Sequence, residues 1–169
     1  MKLVNNAEVW LASVRLELTC DNSKIANHLL ARALQQCPDA GRLWAQAIEI
    51  EPAASRLAKS TDAVKHVKDD PNIFMAIGKI FWVEKKQNKA RKFFQQAVHY
   101  NKDNGDAWLC LYNFEKENQG SLEQIRSDFL EAEPRHGSDL WAPAVKNFSN
   151  WKFKPVEMLD RIQVPLPKY

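Results

Sequence analysis

Residues 7–38 read AEVWLASVRLELTCDNSKIANHLLARALQQCP, and the fold class follows from this stretch. Before Asp21 the apolar side chains recur three and four positions apart, which is the spacing of one helical face. Asp21-Asn22-Ser23 interrupts the pattern, and a second apolar stripe then runs from Ala26 to Cys37. Pro38 cannot continue a helix. The stretch therefore predicts two short helices joined by a tight turn.

The same pattern returns along the chain at an interval near 34 residues. Its markers are the bulky aromatic residues Trp10, Trp44, Phe74, Trp108 and Trp141. Their spacings are 34, 30, 34 and 33 residues. A period of this length is typical of stacked helix–turn–helix repeats. We therefore predict an all-α fold, an α–α superhelix (solenoid) of four to five helix pairs over residues 1–162, with at least eight helices and no β-strand.

Several details of the helices are predicted as well. A helix over residues 71–87, capped by Asp70 and apolar on nearly every side, should be buried from several directions. The second helix of the second pair should bury the thin stripe of Leu57, Thr61, Val64 and Val67. A helix over residues 138–150 should place Trp141, Val145 and Phe148 on one side, with Pro143 loosening its first turn. A short helix near residues 156–162 and an extended tail over residues 163–169 should follow.

Composition argues against catalysis, bound cofactors and membrane insertion. Five glycines in 169 residues leave no Gly-rich phosphate loop, and no two of the four histidines have metal-ligand spacing. No run of eighteen apolar residues is present, so no membrane span is predicted. Three widely separated cysteines, expected to be buried thiols, fit a reducing compartment. The sequence thus predicts a binding protein that is not an enzyme and has no metal or cofactor.

Three glutamates share a helical face with the aromatic markers. Glu17, Glu51 and Glu115 each lie seven residues after a tryptophan, almost two turns along a helix. A carboxylate on a packing face needs a partner, and Arg32 on the following helix is the candidate for Glu17. The alternative is that these glutamates lie at the edge of the stripe in water.

Two surfaces are candidates for binding. Lys85, Lys86, Lys89, Arg91 and Lys92 cluster near one helix–helix turn, where they could meet RNA or an acidic protein, or simply be solvated. Val9 and Leu16 lie seven residues apart on the side of the first helix opposite its apolar stripe. We interpret this pair as a docking edge for an upstream repeat, since solenoid ends are otherwise polar; two unrelated surface hydrophobes are the alternative.

The motifs also resemble a known family. Trp10 and Glu17 with Arg32-Ala33-Leu34 and Pro38 resemble the half-a-tetratricopeptide (HAT) repeat. In order along the chain, further motifs resemble the C-terminal region of the pre-mRNA processing factor six family, HAT-repeat proteins of the spliceosome. They are Lys79-Ile80-Phe81-Trp82, Lys89-Ala90-Arg91 with Phe94, Gly105-Asp106-Ala107-Trp108 with Glu115, Ala132-Glu133-Pro134-Arg135-His136-Gly137, and Trp141 with Asn150-Trp151.

This resemblance implies a nuclear scaffold that bridges particles of the spliceosomal tri-snRNP through protein contacts. Its partners would be other spliceosomal proteins and upstream repeats of a longer protein, of which this chain would be a C-terminal part, with RNA secondary. Two alternatives stay open: an RNA-binding HAT-repeat protein, and a tetratricopeptide-type adaptor that holds peptide tails.

Overall fold

The computed structural model describes residues 6–167, and this part of the chain is mostly helical. Within it lie ten α-helices and one 3₁₀ helix, and the only β-type pairing there is an isolated bridge between Asn104 and His136. The all-α prediction and the helix count are confirmed. The helices are α1 (Ala7–Thr19), α2 (Ser23–Gln36), α3 (Gly41–Ile50), α4 (Arg56–His66), α5 (Pro71–Val83), α6 (Gln87–Tyr100), α7 (Gly105–Glu117), α8 (Leu122–Ala132), α9 (Trp141–Val145) and α10 (Pro155–Arg161), with the 3₁₀ helix at Phe148–Asn150.

The helices gather into two compact units that divide within α5. Among the described residues, the first unit runs to Ala76 and the second begins at Ile77. Inside the units consecutive helices pack as pairs: α1 on α2, α3 on α4, and α7 on α8. Successive helix pairs place the chain in the helical-repeat class that the period predicts.

The core of the first unit forms where α1, α2 and α3 meet. Its fully buried members are Leu11, Val14, Ala26, Leu30, Ala33, Leu43 and Ala47. The alanines of α2 have side chains small enough to let the helices approach closely. Burial of each leucine contributes about 1.5–3 kcal/mol relative to exposure.

Three helices end with the same backbone motif. Asp21, Lys85 and Gln119 have positive φ angles of 58°, 59° and 57°. In each case the next amide donates to the carbonyl five residues earlier: Asn22 to Glu17 at 2.9 Å, Lys86 to Phe81 at 2.9 Å, and Gly120 to Glu115 at 2.8 Å. This pattern is the Schellman motif, which satisfies carbonyls at a helix end and reverses the chain. It explains why α5 ends at Val83, whereas the sequence predicted a helix to residue 87.

The indole of one tryptophan in each unit has the same hydrogen bond. Trp44 Nε1 donates to the Pro38 carbonyl at 2.7 Å, and Trp108 Nε1 donates to the Lys102 carbonyl at 2.8 Å. Both acceptors lie six residues before the ring, in the loop that precedes its helix. The two tryptophans are 5% and 4% exposed. Phe74 and Trp141 are also buried.

Trp10 differs from the other markers because it is only half-buried. α1 is the first helix described, so no earlier described helix covers this ring, and the Arg32 guanidinium lies 6.0 Å from its centroid.

The prediction of three buried thiols is wrong in part: Cys110 is buried, Cys37 is half-buried and Cys20 is exposed.

The buried face of α4 is not the predicted one. Arg56, Ser60 and Ala63 are buried, whereas Leu57 is 41% and Val64 36% exposed. The small side chains of Ser60 and Ala63 fit a close helix contact. The Arg56 guanidinium is accommodated because Nε donates to the Glu51 carbonyl at 2.8 Å.

The segment after α8 also contains less helix than predicted. The predicted helix over 138–150 is reduced to the five residues of α9 and a 3₁₀ turn, and Ser138 does not cap it. Trp141 is buried, but Val145 is 44% and Phe148 85% exposed, so the three side chains do not share a packing face. α10 forms near the predicted position, and residues 162–167 have no regular secondary structure.

One carboxylate holds the start of this segment to α7. Asp106, only 5% exposed, accepts the backbone amides of four consecutive residues. Its Oδ2 accepts from Ser138 and Asp139, both at 2.9 Å, and its Oδ1 accepts from Leu140 at 3.1 Å and Trp141 at 2.7 Å. The amides at the start of α9 thus find acceptors on another helix.

Candidate functional site

The second unit carries a groove between α6, α7 and α8. It has a volume of about 820 Å³, and α7 forms its floor through Trp108, Leu111 and Glu115. α6 and α8 form its two walls. A surface of this kind, with apolar groups at the base and polar groups at the rim, can receive a segment of another protein.

An ion pair lies at one end of the groove floor. Arg91 Nε donates to Glu115 Oε1 at 2.6 Å, and its terminal nitrogen donates to Glu115 Oε2 at 2.9 Å. The Glu115 side chain is 6% exposed and that of Arg91 is 34% exposed. The hydrogen bond to Glu115 raises the pKa of Arg91, and burial opposes this effect. The bidentate geometry joins α6 to α7 and uses two of the five N–H donors of the Arg91 guanidinium.

The predicted pairing of these glutamates is therefore correct for one of them, with a different partner helix. Arg91 belongs to the helix before Glu115, whereas the sequence placed the partner of Glu17 on the helix after it. Glu17 instead accepts from Asn22 Nδ2 at 2.9 Å, and Glu51 accepts from the Ser55 hydroxyl at 2.9 Å.

The two walls of the groove differ in charge, because one carries a lysine and the other carries two carboxylates. His99 and Lys102 line the α6 side, and Asp128 and Glu131 line the α8 side. All four side chains are exposed at the rim. Such a groove would favour a polypeptide with basic groups along one edge, and electrostatic complementarity of this kind gives specificity more than affinity.

The predicted basic cluster is reduced to four lysines. Arg91 is held by Glu115, while Lys85, Lys86, Lys89 and Lys92 are exposed. Lys86 pairs with Glu84 at 2.7 Å, and the ammonium groups of Lys86 and Lys89 lie 5.8 and 5.4 Å from the Phe81 ring centroid. That ring is only 7% exposed, so it offers no face on which a base could stack.

The predicted docking edge is exposed. Val9 and Leu16 are 51% and 62% exposed on α1. Leu57 and Val64, which also lie seven residues apart, form a second exposed apolar pair on α4. Exposure agrees with a docking surface but also with isolated surface hydrophobes, so the role of Val9 and Leu16 stays a proposal.

Sequence reasoning missed one feature of the surface. Phe148 and Trp151, assigned to packing or to a family motif, are 85% and 74% exposed. Lys146, Lys152 and Lys154 surround them in the sequence, and this interleaving of aromatic and basic residues was the available signal.

Other kinds of site find no support among the described residues. Over residues 6–167 there is no group of three or more His, Cys, Asp or Glu side chains placed to hold a metal ion. In the same part of the chain, no helix has the length and apolar character needed to cross a membrane.

Fold and surfaces together define an all-α helical-repeat protein with grooves and exposed patches suited to macromolecular contact. Comparison with known proteins makes this more specific. The chain is 35% identical over 161 residues to pre-mRNA-splicing factor prp1 of Schizosaccharomyces pombe, a match that covers 94% of the chain. It is 41% identical over 106 residues to human pre-mRNA-processing factor 6, and 41% identical over 111 residues to protein STABILIZED1 of Arabidopsis thaliana, covering 62% and 64% of the chain.

The chain resembles the C-terminal region of pre-mRNA-processing factor 6 and its relatives, as the motifs predicted. It spans 18% of the length of the fission yeast protein and 11% of the human one. No family model matches the chain.

Proposed function

We propose that the chain is part of a non-enzymatic scaffold of the pre-mRNA splicing machinery in the nucleus. The observation that carries this proposal is the 35% identity to a pre-mRNA-splicing factor across 94% of the chain. In this proposal the chain helps to bridge snRNP particles during tri-snRNP assembly through contacts with other spliceosomal proteins. A helical-repeat fold supports such a role because each pair adds surface without requiring a reaction centre.

The groove between α6 and α8 is the proposed contact for a segment of a partner protein. Its opposed charges would select a polypeptide whose basic edge faces Asp128 and Glu131. A tetratricopeptide-type adaptor that binds peptide tails is the second candidate, and the same groove supports it.

The scaffold and the peptide-binding adaptor can both be tested by immobilising the chain and measuring which nuclear proteins it retains. We expect snRNP proteins, identified by mass spectrometry, to be retained by the unmodified chain. Asp128→Lys with Glu131→Lys should reduce their retention. Glu123→Lys with Glu133→Lys is the matched control because it makes the same charge change on residues that do not line the groove. Retention of no splicing protein above background would contradict the scaffold; retention of peptide tails without other spliceosomal proteins would favour the adaptor.

The remaining predicted surfaces are proposed as secondary contacts. Val9 and Leu16 would dock an upstream repeat of the same full-length protein. Lys85, Lys86, Lys89 and Lys92 would meet an acidic partner surface or RNA, and we favour the acidic partner because Phe81 beneath them is buried.

A further inference from the structure

The segment between α9 and α10 presents two aromatic rings to solvent on one side of a short helix. Phe148 begins the 3₁₀ helix, and the backbone amide of Trp151, the residue after it, donates a hydrogen bond to the Phe148 carbonyl at 3.3 Å. Residues three apart eclipse one another in a 3₁₀ helix, about 6 Å apart along its axis. The two rings therefore project from the same side. Within residues 6–167 neither side chain has a hydrogen bond or a ring contact.

The backbone that carries these rings is held in place by its own polar side chains. Asn147 Oδ1 accepts the Ser149 amide at 2.9 Å, and Asn150 Nδ2 donates to the Ala144 carbonyl at 2.9 Å. The neighbouring Phe153, in contrast, has a cationic partner: the Arg161 guanidinium lies 3.9 Å from its ring centroid. Phe153 thus anchors the segment, while Phe148 and Trp151 stay available on a supported turn.

Along the sequence, the charge near the rings has one sign, and the first carboxylate after them, that of Glu157, accepts the Lys154 backbone amide at 2.9 Å. From Trp141 to Val156 the sequence contains Lys146, Lys152 and Lys154 and no Asp or Glu. All three lysines are exposed. Protein–protein interfaces are enriched in aromatic residues but depleted of lysine. Proteins that bind single-stranded nucleic acid combine both, with bases on the rings and phosphates on the cations.

We propose that Phe148, Trp151, Lys146, Lys152 and Lys154 form a binding surface for single-stranded RNA. Unpaired bases stack on the two rings, and the lysines contact the phosphates on either side. This contact adds an activity to the protein scaffold proposed above and does not depend on it. It differs from the Lys85–Lys92 cluster, where the Phe81 ring that Lys86 and Lys89 approach is buried.

Binding of a fluorescent uridine oligomer of about ten nucleotides to the whole chain tests the proposal. Phe148→Ala with Trp151→Ala should weaken binding by about 5- to 150-fold for each base that loses its stacking partner. Tyr100→Ala is the control, since Tyr100 is another exposed aromatic residue outside the segment. Circular dichroism should show unchanged helix content, because both rings are exposed.

The salt dependence of RNA affinity distinguishes this surface from a general attraction of RNA to basic residues. Lys146→Gln, Lys152→Gln and Lys154→Gln together should lower the slope of log affinity against log salt by about 2, at about 0.7 for each single-strand phosphate contact. Lys85→Gln, Lys86→Gln and Lys89→Gln remove the same charge and should leave the slope nearly unchanged. Equal losses in the two triple variants would overturn the assignment.

Two further results would also overturn it. One is unchanged RNA affinity in the Phe148/Trp151 double variant, including the case in which that variant loses a protein partner instead. The other is equal binding of a duplex of the same length, because paired bases cannot stack on the rings. Ultraviolet crosslinking of the oligomer should place the modified peptide within residues 146–154.

Discussion

At the residue scale, burial separates tryptophans that stabilise the fold from those that do not. Trp108 is 4% exposed, its ring packs edge-on against Phe129, and its indole nitrogen bonds the Lys102 carbonyl. Trp151 is the same residue type in the opposite environment, with 74% of its surface in water.

Replacing Trp108 by alanine should therefore lower the free energy of unfolding by about 3–5 kcal/mol. Trp151→Ala should change it by less than about 0.5 kcal/mol. Denaturant unfolding of the two variants checks this pair. A loss below about 1 kcal/mol for Trp108→Ala would show that the ring is not a packing marker of the repeat.

The Arg91–Glu115 ion pair gives an asymmetric prediction. Arg91→Met leaves the Glu115 carboxylate buried without a cation, and should destabilise the fold by about 1–3 kcal/mol. Glu115→Gln should cost less, because glutamine still accepts a hydrogen bond and water can reach the part-exposed guanidinium. Equal losses in the two variants, measured by denaturant unfolding, would contradict this reading of the burial.

At the element scale, α9 depends on a side chain that lies more than thirty residues away in sequence. The Asp106 carboxylate accepts four amides from residues 138–141. Asp106→Ala should cost about 2–4 kcal/mol, since hydrogen bonds to a charged group contribute about 1.5–3 kcal/mol each but are not additive. Hydrogen exchange should accelerate at residues 138–141 and not in α2. Unchanged protection at those amides would rule out the clamp.

A second carboxylate, that of Asp103, makes the stretch at Arg135 and His136, just before this segment, sensitive to acid. The Arg135 amide donates to Asp103 at 2.6 Å, and this bond, followed by the contact with His136, lowers the pKa of Asp103. A lowered pKa in the folded state means that the contribution to stability is present above the ordinary pKa near 4 and is lost as pH falls through the folded value. Nuclear magnetic resonance titration should show Asp103 titrating below an exposed aspartate, with shifts at Arg135. In Asp103→Asn that acid transition at Arg135 should disappear.

At the scale of the whole molecule, the two exposed apolar pairs on α1 and α4 allow the proposed docking edge to be tested. Val9→Lys with Leu16→Lys should reduce self-association without unfolding the chain, if α1 is a docking edge. Leu57→Lys with Val64→Lys is the matched control, because that pair has the same seven-residue spacing and similar exposure on α4. Analytical ultracentrifugation measures the difference. Equal effects of the two double variants would mean that α1 is not a special surface.

Much of the fold could be predicted because its determinants are local. The apolar period, the Asp70-Pro71 start of α5 and the breaks at Asp21 and Gln119 act over a few residues, so the helices and their order can be read directly from them. The resemblance to the pre-mRNA processing factor six family could also be recognised from short sequence motifs. The buried faces of helices with a weak apolar pattern could not be predicted in this way. α4 buries Ser60 and Ala63 because it packs closely on a neighbouring helix, and the local sequence of α4 does not indicate where that helix lies.

The sequence by itself determined the helix-pair repeat, the buried aromatic markers in α3, α5 and α7, and the resemblance to splicing factors, because periodicity and motif order are properties of a linear chain. Only the tertiary structure decided that Glu115 pairs with Arg91 rather than with a following helix, and that Phe148 and Trp151 remain in water. Both outcomes depend on which surfaces meet across long sequence separations. A side chain's partner or exposure is set by those neighbours and not by its own residue type.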